Sequence, residues 1–305
     1  MAHDKAAHDK AAHDKAAQAA DRADAVRLDP VDAGRVPELA DAEAAAPDGV
    51  PRGDALAEAT AALSARLGEL QTRLTAEGSR AVLVVLQGRD ASGKDGTVRS
   101  VFDACNPMGL RVTSFGAPSA EQLAHDYLWR VHAAMPPRGT IGIFNRSHYE
   151  DVLAVRVRGL APEPVWRRRY RHLVEFERML ADEGTTVLKF FLHVSRAEQA
   201  ERLRARLDEP DKQWKYNAGD VEDRARWDAY TAAYRDMLRE TSAAHAPWYV
   251  VPADKKKVRN FLVAGVLVRA LEAMAPRPRA VDEGRLAELR AGLDAQLAAE
   301  KQGRR

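Results

Sequence analysis

Cysteine is all but missing from this chain. Cys105 stands alone among 305 residues, which excludes an internal disulfide framework and fits a reducing compartment. It follows the helix-compatible segment ending near Ala104, where a small buried thiol is expected rather than a nucleophile. Net charge is scarce too. Forty-seven lysines and arginines face 45 aspartates and glutamates, a formal balance of +2. No global field draws in nucleic acid, so any polyanion site has to be built by local clustering of basic side chains. Long apolar runs are also lacking: none reaches the ~18 residues that suggest a membrane span. The longest, Phe261 to Val268, lies between Arg259 and Arg269 and reads as a buried helix. The start lacks a basic-then-apolar signal pattern. The expectation is a cytoplasmic protein with no membrane and no nucleic-acid partner.

What is present is an apolar fraction of 46% beside 30% charged residues, the balance of a globular chain with a sizeable core. Ala-His-Asp-Lys-Ala occurs three times at the start, from Ala2, Ala7 and Ala12, a period that matches no solenoid repeat. It reads as a solvated tail or fluctuating helix, with adventitious metal binding by His3, His8 and His13 as the alternative. Asp21 to Asp54 is rich in Ala, Asp and Pro with few large apolar residues, too few to offset the entropy of ordering. Residues 1–54 are therefore expected to be a disordered, low-complexity tail, 55–276 the folded domain, and 277–305 a helical extension. In that extension Leu286, Leu289, Leu293 and Leu297 form an apolar stripe that packs on the core or pairs subunits.

The folded part opens with leucines at helical spacing, Leu56 to Leu74, with Gly78 as C-cap. Ala81 to Leu86 is a short apolar run without alternation, the pattern of a strand buried on both faces of a parallel sheet. Leu110 to Phe115, Thr140 to Phe144, Thr186 to Val194 and Trp248 to Val251 are further strands. Helical stretches lie between them. Ser119 with Gln122 and Ser195 with Glu198 look like capping boxes, the first helix continuing through Tyr127 and Val131. Val165 to Leu180 is another helix, closed by Gly184. This alternation predicts a doubly wound α/β fold, with ligands at the carboxyl ends of the strands.

The first strand runs directly into Gly88, Arg89, Asp90, Ala91, Ser92, Gly93, Lys94, Asp95, Gly96 and Thr97. Gly88-x4-Gly93-Lys94 is Walker A spacing. The glycines let backbone amides approach phosphate oxygens, the following helix adds the positive end of its dipole, and Lys94 reaches the outer phosphates as a point charge. The strand before and helix after set it apart from a simple Gly-rich turn. Two features are unusual: Asp95 stands where Ser or Thr ordinarily ligates magnesium, and Asp90 lies inside the loop. A carboxylate there is costly unless it holds Mg²⁺ or orients a phosphoryl acceptor; capping of the loop's own amides is the alternative.

At the third strand's end comes Phe144-Asn-Arg-Ser-His-Tyr-Glu-Asp151. In many P-loop enzymes an acid here binds the magnesium. Asn145 takes that place, Arg146 can stabilise charge on a transferring phosphoryl group, and Glu150 is a candidate for the missing metal ligand. Salt bridges to Arg156 or Arg158 are the other reading of Glu150 and Asp151. A third cluster holds Arg202, Arg204, Arg206, the run Asp208-Glu-Pro-Asp-Lys-Gln-Trp-Lys215, Asp220, Arg224 and Arg226. The Glu-Pro break suggests a lid over about 200–226 that excludes water, with Arg202, Lys212 and Lys215 as phosphate-binding candidates that hold the lid closed or track the anionic chain. Surface salt bridging accounts for others, Arg204 and Arg226 above all. The run Arg167 to Arg171 points in several directions on its helix and is at least half solvated. Lys255 to Lys257 after the last strand either frame a base or form a solvated turn.

Taken together these segments resemble the polyphosphate kinase 2 family. The matching stretches are the Gly88–Thr97 loop, Asn-Pro-x-Gly at Asn106, Ala-Pro-Ser at Ala117 and Tyr-Leu-Trp-Arg at Tyr127. Phe-Asn-Arg-Ser-His-Tyr-Glu-Asp at Phe144, Arg-Leu-Asp-Glu-Pro-Asp-Lys-Gln-Trp-Lys at Arg206, Pro-Trp at Pro247 and Pro-Ala-Asp-Lys-Lys at Pro252 complete them. The resemblance spans roughly Leu56 to Ala275. It implies a three-layer α/β/α P-loop kinase-like fold with a parallel sheet and helical lid. It implies dependence on Mg²⁺, with Mn²⁺ as substitute, and reversible phosphoryl transfer from inorganic polyphosphate to AMP or ADP, yielding ADP or ATP. It places Asp90, Lys94, Asn145, Arg146 and Arg206 in the catalytic centre. Many members have Asp at the position of Asn145, and the version here looks like the branch using both AMP and ADP. A homo-oligomer is the expected assembly. Two rivals share parts of the pattern: an ATP-dependent nucleoside or nucleotide kinase, and a non-catalytic module binding polyphosphate or nucleotide.

Overall fold

The computed structural model describes residues 26–215 and 217–303; the Ala-His-Asp-Lys-Ala repeats lie outside the described residues. Five strands, β1 (Ala81–Gln87), β2 (Leu110–Ser114), β3 (Ile141–Asn145), β4 (Thr185–His193) and β5 (Trp248–Pro252), form one sheet in the order β2-β3-β1-β4-β5. Every neighbouring pair is parallel. The five expected strands are all there, with ends displaced by a single residue. The helices of eight residues or more are α1 (Gly53–Glu77), α2 (Lys94–Val101), α3 (Glu163–Asp182), α4 (Arg196–Asp208), α5 (Ala218–Ala225), α6 (Trp227–Thr241), α7 (Lys256–Met274) and α8 (Glu283–Gly303).

The unbroken apolar run of β1 divides between two cores by the period of a strand. Val82, Val84 and Leu86 join α1, α2 and α7 on one face, with Leu63, Leu67, Phe261 and Leu267. Leu83 and Val85 join α3 and α6 on the other, with Leu173, Phe176, Tyr234 and Met237. The result is a three-layer α/β/α sandwich. After β1 the chain turns to one side for β2 and β3, then to the other for β4 and β5. The crevice at the carboxyl end of β1 is thus a topological switch point, where sheets of this kind bind ligands.

Three local readings are corrected. The segment before α1 does not behave as a linker over 26–52. Val26, Leu39 and Ala44 are buried, the Val31 amide donates to the Trp248 carbonyl at 2.8 Å, and the Asp254 amide donates to the Ala44 carbonyl at 3.2 Å. Few apolar anchors suffice because β5 is an edge strand whose free backbone groups need partners. The Ser119 helix is only the Ala120–Leu123 turn, its capping box intact. The chain then breaks where Asp126 Oδ1 accepts from the Leu128 amide at 2.9 Å, and a separate helix spans Trp129–Ala134. Ser195 does cap α4, but Glu198 turns away to pair with Arg202. Elsewhere, Gly78 ends α1 in the left-handed region at φ 64°, Cys105 is buried with its thiol pushed up to about 11 by desolvation, and Leu289, Leu293 and Leu297 of α8 are exposed.

Candidate active site

The loop from Gly88 to Thr97 joins β1 to α2. Gly93 begins the helix at φ 99°, and a Cβ there would sit 1.9 Å from Arg259 Nη1, so only glycine fits. Lys94 is buried beneath the loop and donates to the Gly88 and Arg89 carbonyls at 2.8 and 3.2 Å. Burial, then the Arg146 charge, pulls its ammonium down to about 8. The Thr97 hydroxyl donates to the Gly93 carbonyl at 3.1 Å. Ser92 is fully buried, and its hydroxyl has no partner among the described residues.

The β3 end lies beside this loop because Leu86 and Asn145 are register partners. Arg146 follows with φ 60°, a left-handed conformation costing a non-glycine residue about 1–3 kcal/mol and concentrated at functional sites. Its amide donates to the Leu86 carbonyl at 3.1 Å, and its guanidinium donates to Asp90 Oδ1 at 2.5 Å. Asp90 is thus an ion-pair partner and not a cap of the loop. Burial pulls Arg146 down, but Glu150 and then Asp90 more than offset it, leaving its pKa above the ordinary value. Asn145 Nδ2 donates to Asp95 Oδ1 at 2.6 Å, so the two departures from the usual P-loop pattern touch one another. Glu150 pairs with neither Arg156 nor Arg158: these hold Asp236 and Asp223. Asp151 holds Arg169 and, at longer range, Arg130.

Two arginines expected on the phosphates are spent on protein partners, although Arg202 does line the cleft in front of the loop. Arg89 is buried, its guanidinium carbon 3.7 Å from the Trp227 ring centroid, and it donates to the Trp227 carbonyl and Thr231 hydroxyl. Arg202 donates to the carbonyls of Ala91 and Ser92 at 3.0 and 3.2 Å and to those of Ala253 and Asp254 at 2.7 and 2.9 Å. Arg259 adds a bond to the Ser92 carbonyl at 3.2 Å; burial, then Arg202's charge, lowers it to about 10, so it stays charged at neutral pH. These two arginines thus hold the loop through its Ala91 and Ser92 carbonyls.

In front of the loop opens a cleft of about 740 Å³. Lys94, Arg146, Arg202, Arg206, Lys212, Lys215, Lys256 and Arg259 line it, against Asp90, Asp95 and Asp220. A chain of almost no net charge thus builds its cationic site locally. The lid region is α4, the Pro210–Gln213 turn and α5. Arg206 Nη1 donates to Asp220 Oδ2 at 2.8 Å, tying α4 to α5. Burial, then Asp90, raises the Asp220 carboxyl above its ordinary range while Arg206 opposes this. Lys215 reaches 3.9 Å from Asp95, and Lys212 pairs with Glu209.

Residues 52–279 match the family model described as Polyphosphate kinase 2 (PPK2). The AMP/ADP-polyphosphate phosphotransferase of Meiothermus ruber is 59% identical over 229 residues, 74% of this chain and 86% of that protein. The ADP-polyphosphate phosphotransferase of Rhodopseudomonas palustris is 46% identical over 221 residues, covering 68% and 76%. The crystal structure of polyphosphate kinase 2 from Arthrobacter aurescens TC1 superposes with a TM-score of 0.75 at 41% identity, over 79% of this chain and 88% of that one. The chain belongs to the polyphosphate kinase 2 family.

In this polyphosphate kinase 2 chain the loop after β3 rests on a buried ionic network that the sequence did not disclose. Lys189, inside β4, donates to Glu177 Oε2 at 2.5 Å, to the Tyr149 hydroxyl at 2.8 Å and to the Thr241 carbonyl at 2.8 Å. Glu177 Oε1 accepts from the Tyr149 hydroxyl at 2.8 Å and lies 3.2 Å from His148 Nε2. Burial works against the Glu177 charge, but Lys189 and His148 more than offset it, holding the carboxyl below its ordinary range. Period-2 reading of β4 could have flagged Lys189 as a charge at an inward position. Arg259 and Trp227 were missed because charge and aromaticity alone do not tell which face of a helix they occupy.

Proposed function

We propose that this chain moves the terminal phosphoryl group of inorganic polyphosphate in line onto AMP or ADP, yielding ADP or ATP, and that the transfer runs in both directions. The observation that carries the reading is the Asp90–Arg146 pair, set at the mouth of a P-loop inside a cation-lined cleft. Phosphoryl transfer needs positioning and charge neutralisation more than covalent chemistry. Lys94 and the loop amides grip the reacting phosphates, Arg146 and Arg206 neutralise charge developing on the equatorial oxygens, and Asp90 orients both Arg146 and the attacking phosphate oxygen. The lid lysines, Lys212 and Lys215, follow the anionic donor.

Magnesium fits this donor set. Mg²⁺ keeps waters and takes one or two carboxylates beside substrate phosphates, without an all-protein cage. Among the described residues no group of three or more His, Cys, Asp or Glu is arranged to hold a metal, while carboxylates face the cleft. Asp90 would hold the ion, with Asn145 bonding metal-bound water, and the ion would supply neutralisation of phosphate charge; Mn²⁺ suits the same oxygens. Glu150, the other candidate, lines a smaller neighbouring cavity together with Asp90 and Arg146 and would be the second carboxylate for the ion. Incubating the protein with polyphosphate, Mg²⁺ and AMP, ADP, GMP or GDP, and resolving products by chromatography, tests the reading. Polyphosphate-dependent ADP or ATP is expected. Turnover with ATP as the sole donor would favour an ordinary nucleotide kinase, and binding without turnover a non-catalytic module.

A further inference from the structure

Trp214 is 78% exposed, whereas Trp129 is 39% exposed and Trp166, Trp227 and Trp248 are packed away. It is nonetheless held in place. It follows the Pro210–Gln213 turn, whose end is fixed by the Lys215 amide on the Lys212 carbonyl at 3.0 Å and by Gln213 Nε2 on the Leu207 carbonyl at 2.8 Å. The indole lines the same cleft as Lys94 and Arg146. The next residue, Lys215, puts its ammonium 5.1 Å from the Trp214 ring and 3.9 Å from Asp95 at the start of α2. The other aromatic ring on the cleft, Phe115, is already taken up by an edge contact with Phe144 at 4.9 Å. A largely exposed indole, with the Lys215 ammonium against its ring, therefore looks onto a phosphate site.

We infer that Trp214 is the platform on which the nucleotide base stacks, an assignment that rests on the function proposed above. Of the two substrates only the nucleotide has a π-face; inorganic polyphosphate offers nothing to an indole beyond the charges that Lys212 and Lys215 already meet. Stacking on an aromatic side chain tolerates any base, because every base has a π-face. Trp214 thereby adds affinity without choosing between adenine and guanine, and purines gain more from it than the smaller pyrimidines.

Two measurements decide this. In steady-state kinetics, Trp214→Ala is expected to raise KM for AMP or ADP about tenfold or more, a loss of ~1.4 kcal/mol, while KM for polyphosphate stays within about twofold; Trp214→Phe, which keeps a ring, should retain most of the affinity. In fluorescence titration without a phosphoryl donor, AMP should quench the tryptophan emission of the wild-type chain, and this quench should vanish in Trp214→Phe. Unchanged nucleotide KM in Trp214→Ala, an equal rise for both substrates, or a quench that survives in Trp214→Phe would overturn the assignment. The titration needs no turnover. A wild-type chain that binds AMP with the expected quench yet forms no product from polyphosphate would sink the proposed reaction and leave the stacking standing.

Discussion

Arg146 reaches across from the end of β3 to donate to Asp90 at 2.5 Å, inside the loop that follows β1. The two strands are neighbours in the sheet, and their last paired residues are Leu86 and Asn145. The ion pair therefore spans one strand spacing, and the left-handed turn at Arg146 is what aims the guanidinium back toward the loop. A carboxylate inside a phosphate loop is repelled by its ligand unless a cation shares the site. Arg146 is that cation in the free protein, and in the proposed reaction it neutralises the charge that develops during transfer.

Substitution on either side of the pair should separate charge from shape. Asp90→Asn keeps the size and a hydrogen-bonding oxygen but removes the charge that orients Arg146. We expect polyphosphate-dependent ATP formation to fall about a hundredfold or more, as on loss of a preorganised transition-state contact. Arg146→Lys should lose a comparable factor, since an ammonium cannot reproduce the fork of a guanidinium. Circular dichroism should show the fold intact in both. A variant with most of its activity left would take that residue out of the mechanism.

Lys94 gives a pH signature. Its ammonium is pulled down to about 8, first by burial and then by Arg146. Only the protonated form binds phosphate by charge, so binding is at full strength below that pH and weakens as the proton is lost above it. For polyphosphate, kcat/KM reports the free enzyme, and its alkaline limb should fall with an apparent pKa near 8. Replacement by an always-charged guanidinium in Lys94→Arg should abolish the limb, whatever it does to the absolute rate. A limb unchanged in Lys94→Arg would assign the titration to another group.

Much of the architecture could be read in advance. A six-residue apolar run rich in valine, without alternation and leading directly into a glycine-rich loop, fits a strand covered on both faces, so β1 and its loop were legible, and so was the order of strands and helices. The face to which a charged side chain turns was less so. Arg202 and Arg206 share a helix face by spacing and both line the cleft, yet Arg202 is spent on four backbone carbonyls while Arg206 reaches Asp220. Arg89 sits between Gly88 and Asp90 of the loop but leans back on Trp227. Those outcomes depend on segments far away in sequence, residues 227–231 and 253–254, which no local pattern contains. The packing of residues 26–52 escaped notice for the same reason, because the need for it belongs to the free edge of β5.

The clamp role of Arg202 can be told from a phosphate-binding role by one conservative change. If its cationic charge alone mattered, Arg202→Lys would restore activity. If four carbonyls on two segments must be held together, a single ammonium cannot reach them all. Each buried carbonyl left without a donor costs about 1–3 kcal/mol. We expect both Arg202→Lys and Arg202→Met to lower the denaturant midpoint and to reduce kcat/KM for polyphosphate. Lysine rescuing activity to near the wild-type value would refute the clamp.

The Lys189–Glu177 pair makes a prediction about stability and site together. Both side chains are fully buried, and removing one partner of such a pair leaves an uncompensated charge, at a cost of about 3–5 kcal/mol. Lys189→Met alone should therefore destabilise strongly in urea unfolding. The double variant Lys189→Met with Glu177→Leu removes both charges and should recover a good part of that loss, since apolar replacement of a buried ion pair is often close to neutral. Activity should not recover in step. Glu177 also holds the hydroxyl of Tyr149 and faces His148, and these residues carry the turn that begins at Arg146. A double variant that regains stability while its kcat stays well below the wild-type value is the expected result. Full recovery of both would show that the network supports the fold alone and does not position the Arg146 turn.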